Sequence, residues 1–301
     1  MFDPLAQVVT LLQPGASFSK VVSGAGAWRV RRSVSGQPFY CAILDGGSRL
    51  SVAGQPAITL QAGDFVLIPA AYDFTMMSLQ PLADGDADTL PVEVRPRDIR
   101  VGLQDIPPDV QLLIGHCTFG SPDATLLVSL LPQLVHVRGE RRLATLVELV
   151  TEEARGQRPA RDVILAHLLE VLFIEALRST ATEAAPAGLL RGLADERLAV
   201  AIRQMHEHPS QPWTVAQLAR EAALSRSTFF ERFKQALGMA PMAYLLTWRM
   251  ALAKNLLRGR DDSIAEIAQR IGYSSVSAFS VAFTRYTGLT PGRYSRDEIA
   301  I

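Results

Sequence analysis

The chain has 301 residues, with 30 basic side chains balancing 30 acidic ones, 48% hydrophobic and 20% charged residues. That length predicts about two domains, and the composition excludes wholesale disorder and a fibrous repeat. Cys41 and Cys117 are the two cysteines, which excludes a disulfide framework or a four-cysteine zinc site. The most apolar run, Val163 to Leu177, is interrupted by His167, Glu170 and Glu175 and is too short to span a bilayer. No secretory signal is visible, so a cytoplasmic protein without membrane contact is expected.

Residues 1–139 are predicted to be mostly strand. Short apolar runs (Phe39 to Leu44, Ala57 to Leu60, Phe65 to Pro69) alternate with turns such as Asp45-Gly46-Gly47, Ala53-Gly54-Gln55-Pro56 and Ala62-Gly63-Asp64. Such regular spacing predicts a barrel or a double-sheet sandwich. Residues 140–189 change period: Leu143, Leu146, Val147 and Val150 form a helical stripe ending near Gly156. A second helix, from about Arg161 to Arg178, is apolar nearly all round, as suits burial between partners. A homodimer seam and simple packing on the strand domain both fit that pattern. Ser179 to Gly188 has linker composition.

Charge is not spread evenly. Leu190 to Ile301 carries 15 basic and 10 acidic residues, against 15 and 20 in the preceding 189. A basic C-terminal third suits a module that meets nucleic acid.

That third, residues 190–301, contains a repeat. Thr214 can N-cap a helix bearing Val215, Leu218, Ala219 and Ala222; Ala223-Leu224 turns the chain; Ser225 caps a second helix with Phe229 and Phe233 inward, ending at Gly238. Ser263 then caps Ile264, Ile267, Ala268 and Ile271; Gly272-Tyr273 turns; Ser274 caps a helix with Phe279 and Phe283 inward, ending at Gly288. The offset is 49 residues from Thr214 to Ser263 and 50 from Gly238 to Gly288, with Pro241 and Pro291 each three residues beyond their glycine. Each unit has helix-turn-helix form. Pro241 to Leu257 reads as one long helix holding the two units at the separation of successive major-groove segments.

These residues resemble the DNA-binding domain of AraC/XylS-family transcriptional regulators. The resemblance rests on Leu218-Ala219, Gly238-Met239-Ala240-Pro241, Trp248-Arg249-Met250, Ile264 to Ala268, Ile271-Gly272-Tyr273, Phe279-Ser280 and Thr287 to Tyr294. The N-terminal part, with its Asp3-Pro4-Leu5 opening, resembles the cupin-type sensor domain of one branch of that family. The implied protein is multidomain. A cupin-like β-barrel sensor (1–139) and a helical dimerisation segment with linker (140–189) precede an all-α double helix-turn-helix (190–301). Its implied partners are double-stranded promoter DNA, a second copy of the chain, a small-molecule effector and RNA polymerase, with no cofactor.

Inward phenylalanines leave Arg226, Ser227, Phe230 and Glu231 on the outer face of the first recognition helix, with Arg232 and Lys234 beside Phe233. On the second, Ser275, Val276, Ser277 and Ser280 face outward, and Arg285 joins this DNA-binding set. Small hydroxyl and apolar groups can read base edges or thymine methyls, and arginine can read guanine or hold a phosphate. Val281 and Thr284 stand where the family usually has basic residues, and Glu231 where a base-reading arginine is common.

Two rival readings remain. A cupin enzyme would need a His-x-His and a Glu near Phe39 to Asp45, where there is no His, and a later His where Phe74 stands, so no catalytic or metal site is expected. Redox sensing through Cys41 or Cys117 is the other. His206-x-His208, at a helix end before Pro209, reads as a helix-terminal pair rather than a metal site.

Overall fold

A computed structural model describes residues 3–32, 38–70, 73–80, 82, 87–95, 98–121, 124–156, 158–180, 187–259 and 261–297. The chain opens with helix α1 (Pro4–Leu12), capped by Asp3, whose carboxylate accepts from the N–H groups of Leu5 and Ala6 at 3.0 and 3.2 Å. Strands follow: β1 (Pro14–Ala25), β2 (Arg29–Arg32), β3 (Phe39–Asp45), β4 (Gly47–Val52), β5 (Ile58–Gln61) and β6 (Asp64–Ile68). Next come β7 (Phe74–Ser78), β8 (Val92–Arg95), β9 (Asp98–Gly102) and β10 (Val110–Phe119). Helix α2 (Ala124–Val128) and β11 (Val135–Arg138) lead to α3 (Arg141–Arg155) and α4 (Arg161–Ser179). The remainder is helical: α5 (Leu189–Ala194), α6 (Glu196–Glu207), α7 (Val215–Glu221), α8 (Arg226–Leu237), α9 (Pro241–Gly259), α10 (Ile264–Arg270), α11 (Val276–Thr287) and α12 (Pro291–Asp297).

The chain divides into two compact units. The sheet unit comprises 13–120 and 132–180; the helical unit comprises 1–12, 121–131 and 181–301. The sheet unit has a seven-stranded sheet, β11-β6-β3-β10-β1-β9-β8, and a four-stranded sheet, β2-β7-β4-β5. It is the double-sheet form of the expected barrel, and its core joins Cys41, Val66 and Leu112 of one sheet to Leu50, Leu60 and Met76 of the other.

Covering explains the sequence patterns. Helices α3 and α4 pack on the larger sheet over β1. Strands such as β3 and β6 in that sheet are therefore buried on both faces, and Phe39 to Ile43 is a continuous apolar run. Strand β4 of the smaller sheet instead alternates, with Ser48, Leu50 and Val52 buried and Arg49 exposed. Arg138 closes the edge pairing of β11 on β6 by donating from Nε and Nη2 to both carboxylate oxygens of the buried Asp64, each at 2.6 Å.

In the helical unit, α9 is shared by both halves of the repeat. Tyr244, near its start, meets Phe233 edge-on at 5.7 Å between ring centres. Met250, Ala253 and Leu257, further along, pack with Ile267, Phe279 and Phe283. Phe229, Phe233, Phe279, Phe283 and Trp248 are all fully buried.

Two segments from the first 139 residues belong to this unit. Val8 and Leu12 of α1 are fully buried, and α1 packs against α2 and α6. Leu126 of α2 packs on the core of the second repeat, and Leu189 N–H donates to Leu130 O at 2.7 Å. The mostly-strand expectation for the N-terminal part does not name α1. Its buried residues, Pro4, Val8, Val9 and Leu12, do fall on one helical face, a stripe that the strand-like reading of the region passes over.

Candidate nucleic-acid interface

The first helix-turn-helix is built from its caps. Thr214 and Gln217 form a reciprocal capping box at the start of α7, and Ser225 Oγ accepts from Thr228 N–H at 3.2 Å at the start of α8. Between them Ala223 adopts φ +51°, a left-handed turn residue without glycine's freedom. Burial of Phe229 and Phe233 turns the opposite face of α8 outward: Arg226, Ser227, Glu231 and Lys234 are exposed and Phe230 is half-buried.

The second unit repeats the design with one correction. Ser263 and Glu266 form the capping box of α10. The cap of α11 is Ser275, not Ser274: the helix begins at Val276, and Ser275 Oγ accepts from Ala278 N–H at 3.1 Å. Two successive serines make the sequence signal ambiguous by one position. The Ser275 hydroxyl is thus engaged in capping, although its proton is still free to be donated. Val276, Ser277 and Arg285 are exposed, Ser280 is half-buried, and Val281 is 67% exposed. Ser277, Val281, Arg285, Tyr286 and Leu246 of α9 line a shallow open hollow beside α11.

Arg232 does a different job from its neighbours. Its Nε lies 2.5 Å from Asp195 Oδ2, and Asp195 caps α6 by accepting from Arg197 and Leu198 N–H. The guanidinium is therefore held by a helix cap while remaining exposed, whereas Arg226 and Lys234 are exposed on the same helix.

Two residues brace the units against each other. Arg249 on α9 donates from Nε to Pro209 O and from Nη2 to Gln211 O, both at 2.7 Å, gripping the loop before α7. Gly272, in the turn before α11, has φ +86°, and a Cβ there would stand 2.6 Å from Ser210 O and 2.8 Å from Arg249 Nη2. The second turn thus rests on the loop of the first unit. The glycine was legible as a turn residue, but its role as a contact was not.

His206 lies in the last turn of α6, as expected, and is buried. Its Nδ1–H donates to Gln7 Oε1 at 3.0 Å, and Nε2 accepts from the Tyr244 hydroxyl at 2.7 Å. The ring stacks on Trp248 at 4.0 Å. Burial pushes its pKa down to about 3, so the ring is neutral despite its place at a helix end. His208 is exposed, its carbonyl accepting from Trp213 Nε1 at 3.0 Å. Trp213 is half-buried, whereas Trp248 is core.

Cys41 lies fully buried between the sheets, and burial raises its thiol pKa, which suppresses the reactive thiolate. The Cys117 side chain lies outside the described residues. Phe74 packs 4.3 Å from Phe39 between ring centres, inside the apolar core. Among the described residues no three His, Cys, Asp or Glu side chains converge as a metal-ligand group, and no helix is long and apolar enough to cross a membrane.

Comparison with known proteins agrees with this geometry. Residues 3–182 match a family model described as Cupin, and residues 218–297 match one described as Helix-turn-helix domain. A Streptomyces lividans protein described as an AraC-like transcription regulator is 35% identical over 98% of both chains. The chain belongs to the AraC-type transcription regulators. The HTH-type transcriptional regulator AlkR of Acinetobacter baylyi is 36% identical over 97% of this chain and 98% of its own. Among solved structures, the DNA-binding domain of AdpA, in complex with a target DNA, is 34% identical. It covers 34% of this chain and 90% of its own, with a TM-score of 0.32. This AraC-type protein is accordingly a DNA-binding regulator and not an enzyme.

Proposed function

We propose that this chain is a cytoplasmic, dimeric regulator whose sheet unit senses a small molecule and thereby controls how α8 and α11 meet promoter DNA beside RNA polymerase. One observation carries the sensing. Strands β1 and β10 line an apolar cavity through Lys20, Val22, Leu112, Ile114 and His116. The same strands run covalently into Leu12 and Ser121, the ends of the two segments that belong to the helical unit. A ligand that shifts β1 against β10 pulls on α1 and α2. Linkage then requires DNA to change ligand affinity by the factor with which ligand changes DNA affinity.

The test is to loosen α1. Gln7→Ala removes the acceptor of His206, and Val8→Glu places a charge at a fully buried site. Duplex affinity of the intact chain, read by fluorescence anisotropy, is expected to change by about fivefold or more. Unchanged affinity in both variants, with helical content retained, contradicts the coupling.

The dimer contact is proposed on α4. Leu172, at 1% exposure, belongs to the core of its own unit, whereas Val163, Ile164 and Val171 point outward. These three lie on one helical face, a stripe that two copies can bury against each other about a twofold axis. Val163→Glu with Val171→Glu is expected to give folded monomers by sedimentation. A double variant that remains dimeric moves the seam elsewhere.

A further inference from the structure

The cavity between the two sheets has an unusual lining for a core. Its body is apolar: Val30, Phe39, Phe74, Met76, Ile99 and Ile114. The same lining carries three nitrogen bases from three strands, Lys20 on β1, Arg32 on β2 and His116 on β10. Strand register puts them there. Lys20 pairs with Ile114 in β1–β10, so Lys20, Ile114 and His116 share a face. On β2, Val30 and Arg32 alternate inward while Arg29 and Arg31 turn to Asp88, the former at 2.7 Å.

The three bases feel one another. Burial lowers the pKa of Lys20, and the charge of Arg32 lowers it further, offset in part by Glu93. Burial and then Arg32 and Lys20 lower that of His116. Like charges brought together beside apolar walls favour an anion. A further polar group lies in the same wall. The indole N–H of Trp28, 1% exposed, has no hydrogen-bond partner among the described residues, and such a donor gains when a ligand acceptor reaches it.

We propose that this cavity binds a small organic carboxylate, its head held by Lys20, Arg32 and His116 and its short apolar body lying among Phe39, Phe74, Met76 and Ile114. The cavity, about 50 Å³ and partly open, holds roughly four water-sized groups, which suits a tail of a few carbons. Met76, an unbranched and adaptable side chain, sets how much longer the tail can be. The proposal deepens the sensor reading and rests on it for its biological use, but not for its chemistry.

The test titrates the intact chain with butyrate and hexanoate, and with 1-butanol and 1-hexanol, by calorimetry and by Trp fluorescence. The carboxylates are expected to bind at least tenfold more tightly than the matching alcohols. Arg32→Gln is expected to reduce that preference to threefold or less, with the fold retained by circular dichroism. Alcohols binding as well as carboxylates, or carboxylate affinity unaffected by both Arg32→Gln and Lys20→Gln, overturns the proposal. Duplex affinity measured in the same solutions separates the two readings. Carboxylate binding without any change in DNA affinity keeps the site and removes the sensor. An alcohol that alters DNA affinity when the carboxylates do not bind keeps the sensor and removes the anion site.

Discussion

Replacing Gly272 by Ala is expected to destabilise the helical unit by about 2–5 kcal/mol, combining left-handed backbone strain with overpacking. The backbone is at φ +86°, and the new methyl would meet Ser210 O at 2.6 Å, a backbone atom that cannot swing aside as a side chain would. Ala223 makes the contrast informative. It occupies the same place in the first repeat at φ +51° and shows that alanine alone can be accommodated in this turn. Ala223→Gly should therefore change stability by no more than about 1 kcal/mol. Urea unfolding followed by circular dichroism measures both. Equal, small effects at the two positions would mean that the second turn does not press on the loop 209–211, and that the two units are not braced as described.

Acid is expected to weaken the protein through His206. The folded-state pKa lies near 3, below the ordinary value of 6.5, because the ring is buried. Above pH 6.5 both folded and unfolded chains carry it neutral, and the contribution to stability is complete. As pH falls below 6.5 the unfolded chain binds the proton and the folded chain does not, so stability falls until about pH 3. At pH 4.5 the loss amounts to about 2–3 kcal/mol. Chemical denaturation at pH 7.5 and pH 4.5 should show this decline, and His206→Gln should flatten it by about one proton. A variant with the wild-type pH dependence would show that His206 is protonated in the folded protein.

The helical unit was legible because its signals are local. Caps at Thr214, Ser225 and Ser263, inward phenylalanines and a near-constant offset each lie within a few residues of what they specify. The one-residue error at Ser275 arose where two serines compete for the same cap. Membership of the units was less legible. Helix α1 joins the helical unit through Val8, Leu12 and the Gln7–His206 hydrogen bond, which spans 199 residues. No local pattern carries a contact of that range. The same holds for Lys20, Arg32 and His116: each looks like an isolated polar residue in a strand until the register of β1, β2 and β10 puts them in the lining of one cavity. Arg232 is a further case: its place on a recognition helix says nothing of the ion pair it makes with Asp195, 37 residues earlier in the chain.

Both recognition helices are expected to present their outer faces to duplex DNA. The direct test is the affinity of the intact chain for a promoter duplex over a range of salt concentrations, compared between wild type and Val281→Arg. Val281 is 67% exposed beside Arg285, on the face of α11 assigned to DNA. Wild type is predicted to lose affinity steeply with salt through counterion release, and the added cation to strengthen binding and steepen the log–log slope by about 0.9. Binding that ignores salt, or a slope and affinity unchanged by Val281→Arg, would contradict the placement of α11 against the DNA backbone.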